Sequence, residues 1–291
     1  MKKAPFPYLA LLCCVATIGT AKAQTLENVA GETDTVITTT AVIENDPPEE
    51  EKPTRGRFYY KNNVKVGLSP ILLGNYSLTY ERMLTRGISV SAGYRFMPKT
   101  AINSTPLTKE VMKAITEDGD EISQQLGDAN MSGSAITAEF RFYTGPRKPG
   151  ATGFYGGVYG RYSNLKFDFP YEFEATDANV TRTVPFLAET KGFGGGLLFG
   201  VQWQIKRVTI DFTILGAHWG KMTGDIDGKT DLSDLSEQDR ADLRNDLEDL
   251  VNFNEDKKYI TAQVNNDGIR GKLDAPFPGI RGLNLSIGFN F

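Results

Sequence analysis

Apolar and small polar residues alternate with a period of two in eight separate stretches of this chain, from Val64 to the last residue, Phe291. That period places alternate side chains on opposite faces of a strand. The first stretch is Val64 to Ser69. The second sets Tyr76, Leu78 and Tyr80 against Ser77, Thr79 and Glu81, and the third sets Ile88, Val90, Ala92, Tyr94 and Phe96 against Ser89, Ser91, Gly93 and Arg95. In the fourth, Ile136, Ala138, Phe140 and Phe142 oppose Ala135, Thr137, Glu139 and Arg141. The fifth runs from about Phe154 to Phe167, with Arg161 on the polar face beside Tyr155 and Tyr159. The sixth carries Phe193, Leu197, Phe199, Val201 and Trp203 opposite Gly194, Gly196, Gly200 and Gln202. The seventh has Val208, Ile210, Phe212 and Ile214 opposite Thr209, Asp211 and Thr213, and the eighth is Leu283 to Phe291.

The connections between these stretches alternate in length. Leu84-Thr85-Arg86, Pro146 to Gly150 and Ile205-Lys206 are short, whereas roughly 99–132, 168–190 and 221–278 are long. Short turns at one end, long loops at the other and an even strand count predict an all-β fold. The expected form is an eight-stranded antiparallel up-and-down transmembrane β-barrel with helix-containing extracellular loops. Ser236-Glu237-Gln238-Asp239 reads as a helix start, followed by Leu243, Leu247, Leu250 and Val251 at helical spacing. Val111, Met112 and Ile115 suggest a second loop helix. Asn265-Asn266-Asp267-Gly268 is a hairpin signal between Tyr259 to Val264 and Ile269 to Leu273. The helices are expected to cap the barrel mouth, with a ligand or partner platform as the alternative.

The start of the chain bears on location. Lys2, Lys3, the apolar run Tyr8 to Ile18 and Ala21-Lys22-Ala23 make residues 1–23 a secretory signal peptide, with maturation expected at Gln24. Both cysteines, Cys13 and Cys14, fall within it, so the mature chain has neither disulfides nor thiolate metal sites. Residues 24–60 read as a disordered acidic periplasmic leader, and 61–291 as the barrel domain. After residue 24 no stretch reaches the ~20 apolar residues of a membrane helix, so any membrane span must be built from strands. The net charge of −4 and the lack of a basic block argue against nucleic acid as a partner.

Alternation by itself also fits a soluble lipocalin-like barrel with its apolar face inward. Here the polar face is mostly Ser, Thr, Gly, Ala and Asn, which suits a narrow, filled lumen better than a surface in water. Aromatic residues near strand ends (Tyr94, Phe96, Phe142, Tyr143, Trp203 and Phe291) match interfacial girdles. The signal, the eight strands, Tyr80-Glu81-Arg82, Tyr94-Arg95-Phe96 and the ending Gly288-Phe289-Asn290-Phe291 resemble the small OmpA-like outer-membrane barrels. More closely, they resemble an uncharacterised barrel family of gram-negative bacteria known only as a domain of unknown function. The resemblance implies an outer-membrane location with both termini periplasmic. It implies outer-membrane lipid, lipopolysaccharide and the barrel-assembly machinery as partners, with Phe289 and Phe291 as the C-terminal assembly signal. It implies no activity, and the loop partners are unknown.

The candidate chemistry lies on the polar face. Glu81, Arg95, Glu139, Arg141, Arg161 and Asp211, with Lys65 as an optional member, form a lumen charge network that is expected to be ion-paired. A salt-bridged plug and a gated conduction path are both open readings. The sole histidine, His218, shares the parity of Ile210 and Ile214 and is expected to face lipid headgroups. It offers a less favoured route to a lipid-modifying enzyme, since no nearby serine or acid completes a nucleophilic set. Asp225-Ile226-Asp227-Gly228 lacks the later ligands of a calcium loop, and the glycine run 192–200 is a strand rather than a phosphate loop. The expected function is therefore a structural or surface-interaction role for an integral outer-membrane barrel. No catalysis, cofactor or metal is expected, and a small gated pore is the alternative.

Overall fold

The computed structural model describes residues 60–101, 104, 129–144, 150–175, 180–249 and 257–291. The signal peptide, nearly all of the leader, and the helix expected around Val111 to Ile115 lie outside the described residues, as do Leu250 and Val251. In chain order the elements are β1 (Asn62–Gly67), a 3-10 turn (Ser69–Leu73), β2 (Tyr76–Met83), β3 (Ile88–Ala101), β4 (Asn130–Tyr143), β5 (Gly153–Ala175) and β6 (Val180–Ile205). They continue with β7 (Val208–Lys229), α1 (Glu237–Glu248), β8 (Ile260–Asn265), β9 (Gly268–Pro276) and β10 (Gly279–Asn290). Each of β1 to β6 pairs antiparallel with the next, and β10 pairs with both β1 and β7. The result is a closed eight-stranded barrel of β1 to β7 and β10. The two-residue turn at Lys206-Arg207 is enabled by Lys206 at φ 55°, the left-handed backbone that tight hairpins demand.

The wall is uneven. β1 and β2 have 6 and 8 residues, whereas β5, β6 and β7 have 23, 26 and 22. Within the segments expected as loop, residues 168–175, 180–190 and 221–229 are instead continuations of these strands. Pro170 lies opposite Pro185, just beyond the last residues of β4 and β7 that pair with β5 and β6. Each proline therefore sits where its strand has no outer neighbour and no ladder donor is required. The β8–β9 hairpin forms at the expected turn, and β9 pairs with the projecting half of β7. Lower down, β10 takes over that edge of β7 from Gly279.

Along these tall strands the meaning of the alternation reverses. Near the short turns the outward residues are apolar: Val66, Leu78, Ile136, Val158, Leu197, Leu285 and Phe289 are all exposed. At the loop end the outward residues are charged and paired across strands, as in Lys166–Glu189, Lys99–Asp168 at 2.6 Å and Lys221–Asp274 at 3.0 Å. Asp225 and Asp227, dismissed as metal ligands, are outward-facing strand residues of this region. The inward residues change in the opposite sense. Polar side chains fill the lower barrel, whereas Leu165, Phe167, Phe186, Ile226, Ile269 and Leu273 form an apolar core in the projecting part. Helix α1 seals that core with Leu243 and Leu247, and begins as expected, with Ser236 Oγ accepting the Asp239 N–H at 3.2 Å.

Candidate functional site

Strand parity carries eight charged side chains into the lower barrel, among the described residues. Lys65 comes from β1, Glu81 from β2, Arg95 from β3, Glu139 and Arg141 from β4, Arg161 from β5, Asp211 from β7 and Arg281 from β10. Five are cationic and three are carboxylates, and they divide into two groups.

The first group is a closed network. Lys65 Nζ lies 2.9 Å from Glu81 Oε2 and 2.6 Å from Asp211 Oδ2, and also donates to Gln202 Oε1 at 3.0 Å. Arg141 bridges onward, 2.8 Å from Asp211 Oδ2 and 2.5 Å from Glu139 Oε2. Arg281 closes the chain on Glu139 Oε1 at 2.8 Å. Neutral groups occupy the remaining carboxylate oxygens. Ser89 Oγ and Tyr143 OH each donate to Glu81 Oε1 at 2.6 Å, and Tyr155 OH donates to Asp211 Oδ1 at 2.8 Å. The Arg141 guanidinium lies 4.4 Å above the Tyr155 ring. Lys65 and Glu81 are each 1% exposed, a depth at which an ion pair persists only when geometry and hydrogen bonding are complete. Chemically this is a plug: each of the three carboxylates is paired with cations reaching in from other strands or its own. Glycines make room for it, since a Cβ on Gly200 would collide with the Tyr155 ring.

The second group departs from the expected pairing. Arg161 is 3% exposed, and its only hydrogen bond among the described residues runs from Nε to Ser163 Oγ at 3.0 Å, which leaves Nη2 without a partner. No carboxylate among the described residues lies within ion-pair distance of Arg161 or Arg95. Thus Glu81, Glu139, Arg141 and Asp211 are brought together as expected, Lys65 is central rather than optional, and Arg95 and Arg161 stand apart.

Arg281 was missed, and His218 was assigned to the wrong face, for one shared reason. Between Phe199 and Gly200 the β6–β7 register shifts by one residue, so that Ile214 is the extra residue of a bulge in β7. On the adjoining strand Leu283 has φ 50° and pairs with nothing in β7, although Gly282 and Asn284 pair with Leu215 and Thr213. An extra residue exchanges inside for outside from that point onward. His218 consequently faces inward, only 5% exposed, and Trp219 faces outward. His218 Nδ1 shares a hydrogen bond of 2.9 Å with Tyr159 OH, and its ring packs 5.0 Å from that of Phe277. Tyr143 is likewise corrected: it follows the outward Phe142 and turns in to Glu81, so it is no girdle residue. Tyr94, Phe96, Phe142, Trp203 and Phe291 do face outward, as does Phe289.

No protein-family model matches this chain, and no curated protein matches its sequence. Among solved structures, the chain is similar to the crystal structure of Acinetobacter baumannii CarO, with 11% sequence identity, 80% of this chain and 98% of that chain covered, and a TM-score of 0.33. The eight-stranded architecture rests on the strand pairing itself.

Proposed function

We propose that this chain is an integral outer-membrane protein with a structural or surface-interaction role, exporting a tall, loop-bearing wall beyond the membrane. The observation that carries this reading is the reversal along single strands. On β6 the outward series Trp203, Phe199, Leu197 and Phe193 is exposed and apolar, and it gives way at Lys191 and Glu189 to charge. Water would disfavour so continuous an apolar belt, while hydrocarbon would disfavour the charges beyond it. About 9–11 residues of tilted strand suffice to cross a bilayer, so roughly half of β5, β6 and β7 would project. In this reading the short turns and both termini are periplasmic, and the partners are outer-membrane lipid and lipopolysaccharide. Phe289 and Phe291 present the C-terminal signal to the assembly machinery.

The ion-paired plug supports a sealed lumen over a gated pore. His218 supports packing over lipid hydrolysis, because its ring is held between Tyr159 and Phe277 and does not face lipid. Two measurements test the proposal. The outer-membrane fraction, run unheated and heated on a gel, should give a band that shifts on boiling. The purified protein in a planar bilayer should give no steady conductance. A soluble periplasmic protein without a shift would overturn the membrane reading, and stable single-channel steps would replace the plug with a pore.

A further inference from the structure

Toward the loop end of the plug lies a small chamber of about 80 Å³, whose walls include Arg95, Arg161 and Arg281. Its rim is the low side of the barrel, where the 3-10 turn Ser69–Leu73 replaces the tall strands. Ser69 fastens this rim to β10, donating to Leu283 O at 3.0 Å and accepting the Leu285 N–H at 2.9 Å. The register sets the arginines one or two steps beyond Glu139. Arg161 pairs with Thr137 and Arg95 with Ala135, whereas Glu139 pairs with Ser91 and Tyr159.

Glu139, the one carboxylate on the chamber wall, is committed. Its Oε1 takes Arg281, and its Oε2 takes Arg141 and Ser91. Among the described residues, five cations of the lower barrel against three carboxylates leave two positive charges over, and these sit on Arg95 and Arg161 beside the chamber. A buried cation without a partner is costly, and a guanidinium fork with free donors is shaped for an oxyanion. Asn284 on the same wall also keeps an unpartnered amide oxygen among the described residues, able to accept from a protonated oxygen. We propose that this chamber binds a doubly charged oxyanion of the phosphate type, held by Arg95 and Arg161 and entering from the loop end. The plug closes its floor, so the chamber is a binding site and not a passage. The assignment rests on the interior geometry and does not depend on where the barrel resides.

A phosphate group could come from free phosphate or from the headgroup of a phosphorylated glycolipid. The test uses folded, delipidated protein in non-ionic detergent at low ionic strength. Melting temperature is followed with sodium phosphate, with sodium chloride, with lipid A and with dephosphorylated lipid A. Wild type is compared with Arg161→Gln and, as a second variant, Arg95→Gln. A saturable rise with phosphate but not chloride, weakened at least about tenfold in affinity by either variant, supports a site for free phosphate. A rise with lipid A alone, lost on dephosphorylation and in either variant, supports a headgroup site. No rise with either probe, or an equal rise in wild type and both variants, overturns the proposal.

Discussion

Lys65 on β1 and Asp211 on β7 meet at 2.6 Å although their strands do not touch, being separated by β10. The contact passes inside the intervening strand and ties together two parts of the wall that do not adjoin. Asp211 also receives Arg141, and Lys65 also serves Glu81, so the pair is the centre of the plug. Removing the ammonium would strand carboxylate charge in an enclosed space. We predict that Lys65→Met destabilises the barrel by about 3–5 kcal/mol, read as an earlier midpoint of urea unfolding in lipid vesicles. Adding Asp211→Asn should recover part of that loss, since it removes one of the charges left behind. A Lys65→Met protein as stable as wild type would show that the network contributes nothing.

The belt makes a separate prediction. Leu197 lies midway along β6 between Trp203 and Phe193 and faces outward. Arginine there should cost about 2–4 kcal/mol in a bilayer, the price of guanidinium at mid-depth. Lys191, only six residues away on the same face but beyond the belt, should accept Arg with no measurable effect. Urea titrations of both variants in the same vesicles decide the matter. Equal and negligible effects would place both positions in water.

The bulge at Ile214 offers a test of register. Deleting Ile214 would remove the extra residue and leave simple alternation in β7 with His218 still inward and Trp219 still outward, whereas one alanine inserted after Leu215 would turn His218 outward and Trp219 inward. Trp219 would then enter a space that is already tight, since a Cβ on Gly194 would come 2.8 Å from His218 Cδ2. The insertion should abolish the heat-dependent gel shift, while the deletion and Ile214→Ala should preserve it. A deletion protein without the shift would mean that closure needs the bulge itself, and an insertion protein that keeps the shift would mean that a wider bulge absorbs the added residue.

The same bulge explains what was legible in the sequence. Strand number, closure and the facing of Glu81, Glu139, Arg141 and Asp211 follow from period-two alternation, which reads through any regular strand. Alternation fails wherever a residue is added. Nothing around Ile214 or Leu283 marks the addition, so Arg281 and His218 were out of reach. The projecting strands were hidden differently. Beyond Lys191 the inward residues turn apolar and the outward ones charged, so the polarity of the pattern inverts while its period persists. Pro170 and Pro185 fall inside these strands, and their tolerance depends on neighbouring strands having already stopped, which the sequence of one strand does not show. The pairing of charges in the lumen depends on three-dimensional reach, and parity alone could not show that Arg95 and Arg161 lack carboxylates.

The seal between α1 and β8 should respond to acid. Glu248, the last residue of α1, accepts from Lys258 Nζ at 2.8 Å and from the Ala262 N–H at 3.2 Å. The Lys258 hydrogen bond is the foremost cause holding the Glu248 carboxyl below its usual pKa of 4.5, and Lys258 is raised in turn by Glu248. A carboxylate with a depressed folded-state pKa adds stability above its unfolded value, and that stability is lost as pH falls through the folded value. Docking of α1 on β8 should therefore be constant at neutral pH and weaken only below about 4.5. Glu248→Gln should reproduce the loosened state at pH 7. Hydrogen exchange, corrected for intrinsic rates, provides the readout. Residues 257–265 should exchange faster in the variant at pH 7 and in wild type at acid pH, with β1 to β4 unchanged in both. Faster exchange spread evenly over the barrel would instead mean that Glu248 acts on the whole fold.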